Sequence, residues 1–270
     1  QSMKFIFLQP LFFVFVVLLK RGDKMNILFI GDIFGEEGLS FLENNIKKIK
    51  EEYKVNLIIA NAENTSYGKG LHFTHYKRLM QMGINMLTMG NHTFSNVDIR
   101  NFIDKSNIVR PANIPTTMGY GYRILKYNDK AICVVNLMGR TFQNSALDCP
   151  FKTMDRILNK VEADYFIVDF HGEATSEKIA FGFDFDGKVD AVLGTHTHVP
   201  TADERILPKG TLYISDVGMT GPRDGVIGNE KDKIISRFRT GVYEPAGVEK
   251  GRMQINAVLL ELGNKKSIKR

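Results

Sequence analysis

Residues 25–63 read MNILFIGDIFGEEGLSFLENNIKKIKEEYKVNLIIANAE. The runs 26–31 and 55–60 are apolar and of strand length, and between them Leu39, Leu42, Ile46 and Ile49 recur at helical spacing over 36–52. Strand, helix and strand in that order predict an α/β fold. Each apolar run also ends on polar groups: Asp32 closes the first, and Glu63-Asn64 follows the second. Strand ends are where open α/β sheets keep their active sites.

The same grammar extends outward. A helix at 74–82 leads to a strand at 85–89, followed by Asn91-His92; Ser95 then offers a cap for a helix through Lys105. Runs 122–127 and 131–137 flank Asn128-Asp129, a hairpin break. A helix at 153–161, strands at 165–170, 189–194 and 211–215, a short helix at 176–183 and a late strand at 254–261 complete the pattern. Hairpins in the second half predict mixed sheets, two of them packed together. No linker or internal repeat interrupts the chain, so 25–270 reads as one domain.

With 270 residues, 43% of them hydrophobic, the chain can bury a substantial core. Its net charge of +6 is concentrated at the ends. Residues 1–24 carry +3 and 264–270 carry +4, which leaves the body at −1 and argues against a nucleic-acid-binding face across the domain. Cys133 and Cys149 have no metal-ligand spacing and suit a reducing, cytoplasmic setting. The run 5–19 resembles a secretory or membrane segment but is broken by Gln9-Pro10 and is too short to span a bilayer. Met25 directly precedes the first strand, so residues 1–24 are expected to be an upstream leader outside the fold, with no stable membrane partner.

Four of the six histidines, His92, His171, His196 and His198, stand at strand ends. With Asp32, Glu63, Asn64 and Asn91 they offer oxygen and imidazole donors without thiolate, a set suited to Mn, Fe, Zn or Co. Asp32, Glu63, Asn64, Asn91, His171, His196 and His198 are too many for one tetrahedral site and suit two ions sharing a carboxylate, which is hydrolase chemistry. His196-Thr-His198, read as strand, would put both rings on one face. Taken singly, Glu63-Asn64 also reads as a turn cap, and His171 as a core histidine. His72 and His75, in a polar stretch, read as solvated surface.

Together, Asp32, Glu63-Asn64, Gly90-Asn91-His92, His171 and the 194–198 block GTHTH resemble the calcineurin-like metallophosphoesterase superfamily. More narrowly, FIGDIFG, NAENTSYGKG, MGNHTF, VRPAN, DFHGEATSEK, GTHTHVPTAD, RILPKGT and SDVGMTGP resemble the YmdB-like bacterial phosphodiesterases, from Met25 to about Leu262. Phe34 stands where the superfamily usually has histidine, and Thr93 where it has an acid; both departures belong to the narrower group. The resemblance implies a four-layer α/β/β/α sandwich of two mixed sheets and hydrolysis of phosphodiesters such as 2′,3′-cyclic nucleotides. It implies two transition-metal ions, Fe or Mn ahead of Zn. Asp32 and His198 would hold one, Asn91, His171 and His196 the other, and Glu63 would bridge them with Asn64 nearby. His92 would protonate the leaving oxygen.

Nucleotides, other small phosphodiesters and RNA ends are the implied substrates, and an oligomer is compatible with the resemblance. Arg110 and Asn113 are candidate phosphate or base contacts. The segments 175–177 and 219–221 either line the pocket or serve as a helix cap and a turn. Asp224-Gly225 and Gly228 read as turn chemistry without a catalytic role. Relatives of this kind usually continue a little beyond the final KKSIKR. Rival readings are a phosphomonoesterase or nucleotidase on the same metals, and a metal-binding regulatory module with little turnover.

Overall fold

The computed structural model describes residues 24–143 and 146–270; apart from Lys24, the expected leader lies outside the described residues. The first half runs β1 (Met25–Ile30), β2 (Asp32–Ile33), α1 (Gly35–Glu52), β3 (Leu57–Asn61), α2 (Phe73–Gln81), β4 (Met86–Thr88) and β5 (Ile108–Val109). Next come β6 (Tyr122–Tyr127), β7 (Lys130–Met138), α3 (Pro150–Lys160), β8 (Tyr165–His171), α4 (Thr175–Asp184) and β9 (Ala191–Thr195). The chain finishes with β10 (Arg205–Ile206), β11 (Leu212–Ile214), β12 (Met219–Pro222), α5 (Lys231–Thr240), β13 (Met253–Gln254), β14 (Ala257–Leu262) and β15 (Ser267–Lys269).

Two six-stranded sheets result, ordered β15-β14-β1-β3-β4-β5 and β10-β11-β9-β8-β7-β6, with a small β13-β12-β2 sheet beside them. In the first, β1, β3, β4 and β5 are parallel; in the second, β7, β8, β9 and β11 are. Antiparallel β14, β15, β6 and β10 make both sheets mixed. The β6–β7 register closes on Tyr127 and Lys130, which leaves Asn128-Asp129 as the turn, with Asn128 at φ +53° as such tight hairpins require.

Alternation along the strands sorts the core into three slabs. Leu28, Ile30, Ile58 and Ala60 face outward onto Leu39, Leu42 and Ile46 of α1 and Leu79 of α2. Ile27, Phe29, Leu57 and Ile59 face inward and meet Ile132, Val134, Ile167, Leu193 and Ile214 of the second sheet. Cys133, Val135, Val168, Phe170 and Tyr213 take the far side against Met154 and Ile157 of α3 and Phe181 and Phe185 of α4. Three slabs separate four layers, the α/β/β/α sandwich that the family resemblance implies. Strands buried along their whole length, with near-continuous apolar runs, are what sheets covered on both sides demand.

Two local expectations fail. The helix expected from Ser95 is instead a pair of 3₁₀ turns, Val97–Asn101 and Ile103–Lys105, and the cap is Asn96, whose side chain accepts the Asp98 N–H at 3.0 Å. His75 is buried, because Ser66 Oγ lies 2.7 Å from its Nδ1 and Glu36 Oε2 2.8 Å from its Nε2. Among the described residues no helix is long and apolar enough to cross a membrane.

Candidate metal centre

All of the parallel strands that carry expected donors end at one edge of the sandwich, so loops from both sheets converge there. β2 delivers Asp32, the loop after β3 Glu63 and Asn64, the loop after β4 Asn91 and His92, β8 His171, and the loop after β9 His196 and His198. Asp32 and His171 are fully buried, while the cleft above them, about 470 Å³, is lined by Glu63, Asn64, His92, His196 and His198 with Phe34, Lys69 and Asn229.

His171 is the hub. Its Nε2 lies 3.0 Å from Glu63 Oε1, 2.9 Å from Asn91 Oδ1 and 3.0 Å from His196 Nδ1. Ligand atoms of Glu63, His171 and His196 all fall within 4.8 Å of one another. The other nitrogens show where the protons reside. His171 Nδ1 sits 2.9 Å from Thr195 Oγ1, whose hydroxyl donates to Asp169 Oδ1 at 2.6 Å, so Nδ1 carries the proton and Nε2 is bare. His196 Nε2 is 3.1 Å from the Glu173 carboxylate, and His198 Nδ1 donates to the Ile227 carbonyl at 2.9 Å.

Acceptor atoms of His171, His196, Glu63 and Asn91 thus converge within hydrogen-bond distance of His171 Nε2, an arrangement that a bound cation would relieve. Asp32 adds a second sign: its Oδ2 accepts the His196 N–H at 3.3 Å, but the buried Oδ1 has no hydrogen-bond partner among the described residues and stands 3.9 Å from His198 Nε2. Asn64 Nδ2 lies 2.9 Å from the same His198 nitrogen. The donor set suits divalent metal ions, and the paired outer nitrogens are the orienting contacts such ligands ordinarily have.

Burial dominates the electrostatics. It pushes the Asp32 carboxyl well above its usual range, helped by the charges of Glu63, Asp216 and Asp169, and it raises Glu63 as well. Asp169 is pushed up to about 7, also by burial first. Burial drives His171 well below the ordinary imidazole value and, with His171 beside it, His196 to about 4, which favours the neutral form of both rings.

His196 and His198 do not sit on a strand. β9 ends at Thr195, and the two histidines take φ of +102° and +66°, so both reach the centre from a left-handed bend and not from strand alternation. Phe34, in place of a superfamily histidine, packs edge-on against His198 with ring centroids 5.4 Å apart. Arg110 and Asn113 are not cleft contacts. The Arg110 guanidinium donates to the carbonyls of Met118, Pro111 and Thr116, while Asn113 Nδ2 donates to those of Met138 and Asp148; both stitch a buried loop. Glu177 accepts the N–H groups of Arg140 and Thr141, and β12 is buried throughout, so 175–177 and 219–221 are structural. Asp169 and Glu173 escaped the sequence reading, although Asp169 shares the strand parity of His171.

Gly90 shows how tightly the centre is built, since a methyl there would collide with His171 Nε2 and Glu63 Oε2. Gly90→Ala is expected to cost at least about tenfold in metal affinity, as lost positioning of ligands typically does, with little change in circular dichroism. Metal content after dialysis against limiting metal checks this; undiminished content would mean the centre has more room than the distances allow.

Comparison with known proteins identifies the family and the fold. The family described as YmdB-like protein matches residues 28–270. A 2′,3′-cyclic-nucleotide 2′-phosphodiesterase of Bacillus subtilis (strain 168) is 46% identical over 251 residues, covering 91% of this chain and 95% of the relative. The crystal structure of a phosphatase from Mycoplasma pneumoniae superposes with a TM-score of 0.87 at 41% identity, covering 92% of each chain. The NAD nucleotidase of Haemophilus influenzae shares the fold alone, with a TM-score of 0.59 at 13% identity over 92% of this chain and 55% of that one.

Proposed function

The chain belongs to the YmdB-like protein family, and on that premise we propose that it is a phosphodiesterase opening 2′,3′-cyclic nucleotides at a two-metal centre. The observation that carries this reading is the convergence of bare donors from Glu63, Asn91, His171 and His196 beneath an open cleft. Asn91, His171 and His196 would hold one ion, Asp32 and His198 the other, and Glu63 would lie between them, with Asn64 beside His198. Nitrogen and oxygen donors without thiolate favour Mn or Fe, with Zn next. When bound, such ions would lower the pKa of the attacking water and stabilise the negative charge that develops on the phosphoryl oxygens.

The chain's own residues supply the rest. Asp169, through Thr195, and Glu173 fix the tautomers of His171 and His196. His92, in the cleft but outside the ligand cluster, would give its proton to the departing ribose oxygen. Cys133 and Cys149 are free thiols, in keeping with work in the cytoplasm.

The test pairs elemental analysis of the purified protein with kcat/KM values for 2′,3′-cyclic nucleotides, aryl phosphodiesters and phosphomonoesters. About two ions per chain and at least about tenfold preference for the diesters are expected. Preference for monoesters would make the protein a nucleotidase, and bound metal without turnover would make it a binding module.

A further inference from the structure

Lys178 and Asp216 meet beneath the metal centre, and neither lines the cleft. Lys178 belongs to α4 and Asp216 follows β11; each is about 1% exposed. Lys178 Nζ donates to Asp216 Oδ2 and to the Thr195 carbonyl, both at 2.8 Å. Asp216 in turn accepts the Thr197 N–H on Oδ2 at 3.0 Å and the Gly218 N–H on Oδ1 at 2.8 Å. A buried pair of this kind seldom stabilises a fold more than apolar packing would. Its position points to another role.

The Thr195 carbonyl belongs to the peptide before His196, and the Thr197 N–H to the peptide after it. Peptides are planar, so fixing both planes fixes φ and ψ of the residue between them. One ion pair therefore grips the backbone on both sides of His196, the residue at φ +102°, whose own N–H goes to Asp32 and whose preceding carbonyl also takes the Gly172 N–H at 3.4 Å. Such a conformation persists only where its surroundings over-determine it. The same loop carries His198, but the grip closes around His196.

We propose that Lys178 and Asp216 are positioning residues that hold His196 in its left-handed conformation and so set the affinity of the metal site to which His196 contributes. The proposal rests on the reading of His196 as a metal ligand. Lys178→Met alone would strand a buried carboxylate and risks failing to fold, so the informative variant is Lys178→Met with Asp216→Asn, which removes both charges and keeps an acceptor for one of the N–H groups. Asp186→Asn serves as a control, because Asp186 is a buried acid holding the Lys209 and Thr211 N–H groups and lies outside the cleft.

Calorimetric titration of each metal-free protein with Mn²⁺, beside its thermal melt, reads the effect. The double variant is expected to fold and to bind one of its ions about 10- to 100-fold more weakly, the loss typical when an outer contact of a ligand is removed. His196→Ala should weaken that same ion, whereas Asp186→Asn should lower the melting temperature and leave both affinities unchanged. Unchanged Mn²⁺ affinity in a folded double variant, with His196→Ala still weakened, would overturn the positioning role alone. Unchanged affinity in His196→Ala would overturn the ligand reading beneath it, and equal losses in Asp186→Asn would reduce the pair to ordinary scaffolding.

Discussion

Glu63→Gln is expected to yield a folded protein that no longer retains its metals and hydrolyses phosphodiesters on the order of 10³-fold more slowly. Glu63 is the acidic member of the convergent set, with Oε1 3.0 Å from His171 Nε2 and Oε2 accepting the His92 N–H at 2.8 Å. Glutamine preserves shape and removes the charge that would neutralise two cations. Loss of one preorganised electrostatic contact costs about 10²–10³ in kcat, and losing the ions removes more than one.

The same substitution has an opposite effect on the metal-free fold. Asp32, Glu63 and Asp169 are buried acids near one centre, and burial disfavours their charged forms. Removing one charge should leave the metal-free variant melting no lower than the metal-free native protein. Added Mn²⁺ should then stabilise the native protein, by about 2.7 kcal/mol at a hundredfold excess over Kd, and leave the variant unmoved. Thermal melts with and without metal, beside steady-state rates, check both halves. A variant that still gains stability from Mn²⁺, or that turns over within tenfold of the native rate, would remove Glu63 from the centre.

Legibility of the site followed from geometry. Parallel strands end at a common edge, so a reader who marks polar residues after apolar runs collects donors that the fold later brings together. Asp32, Glu63, Asn64, Asn91, His92, His171, His196 and His198 are legible that way; the fold gathers Glu63, Asn91 and His196 about His171, sets Asn64 and Asp32 near His198, and leaves the His92 ring in the cleft beside them. The strands were legible as short apolar runs, since β1, β3, β7 and β8 are buried on both faces, whereas the four-layer order came from the family resemblance and not from strand periodicity. The backbone of the 195–198 loop was not. Positive φ is uncommon outside glycine, and the contacts that surround His196 here include an ion pair between residues 38 apart in sequence, which no local pattern announces. His75 was misjudged on the same ground, since Glu36, which meets its ring from α1, is 39 residues away in the chain.

His92→Ala is expected to keep its metals and to slow opening of a 2′,3′-cyclic nucleotide by about 10²–10⁴-fold, the worth of a positioned proton donor. Two contacts separate this residue from its neighbours. Its backbone N–H, which any substitution except proline retains, is what orients Glu63, while its ring approaches Ser95 Oγ at 3.2 Å and faces the cleft. Alanine therefore removes the imidazole and leaves the ligand set untouched. A ribose alkoxide is a poor leaving group and needs that proton, whereas an activated aryl oxide departs without it, so the aryl ester should show a much smaller defect. Burial holds the His92 ring below its ordinary value, with Lys69 and His198 adding to the shift and Glu63 opposing it. The protonated form is the donor, so the native rate on the cyclic substrate should fall as pH rises through that lowered value, and the fall should vanish in His92→Ala. His196→Ala is expected to give the contrasting result, lower metal occupancy and equal losses on both substrates. Metal loss in His92→Ala, or equal defects on the two substrates with an unchanged pH profile, would make His92 a ligand or a structural residue.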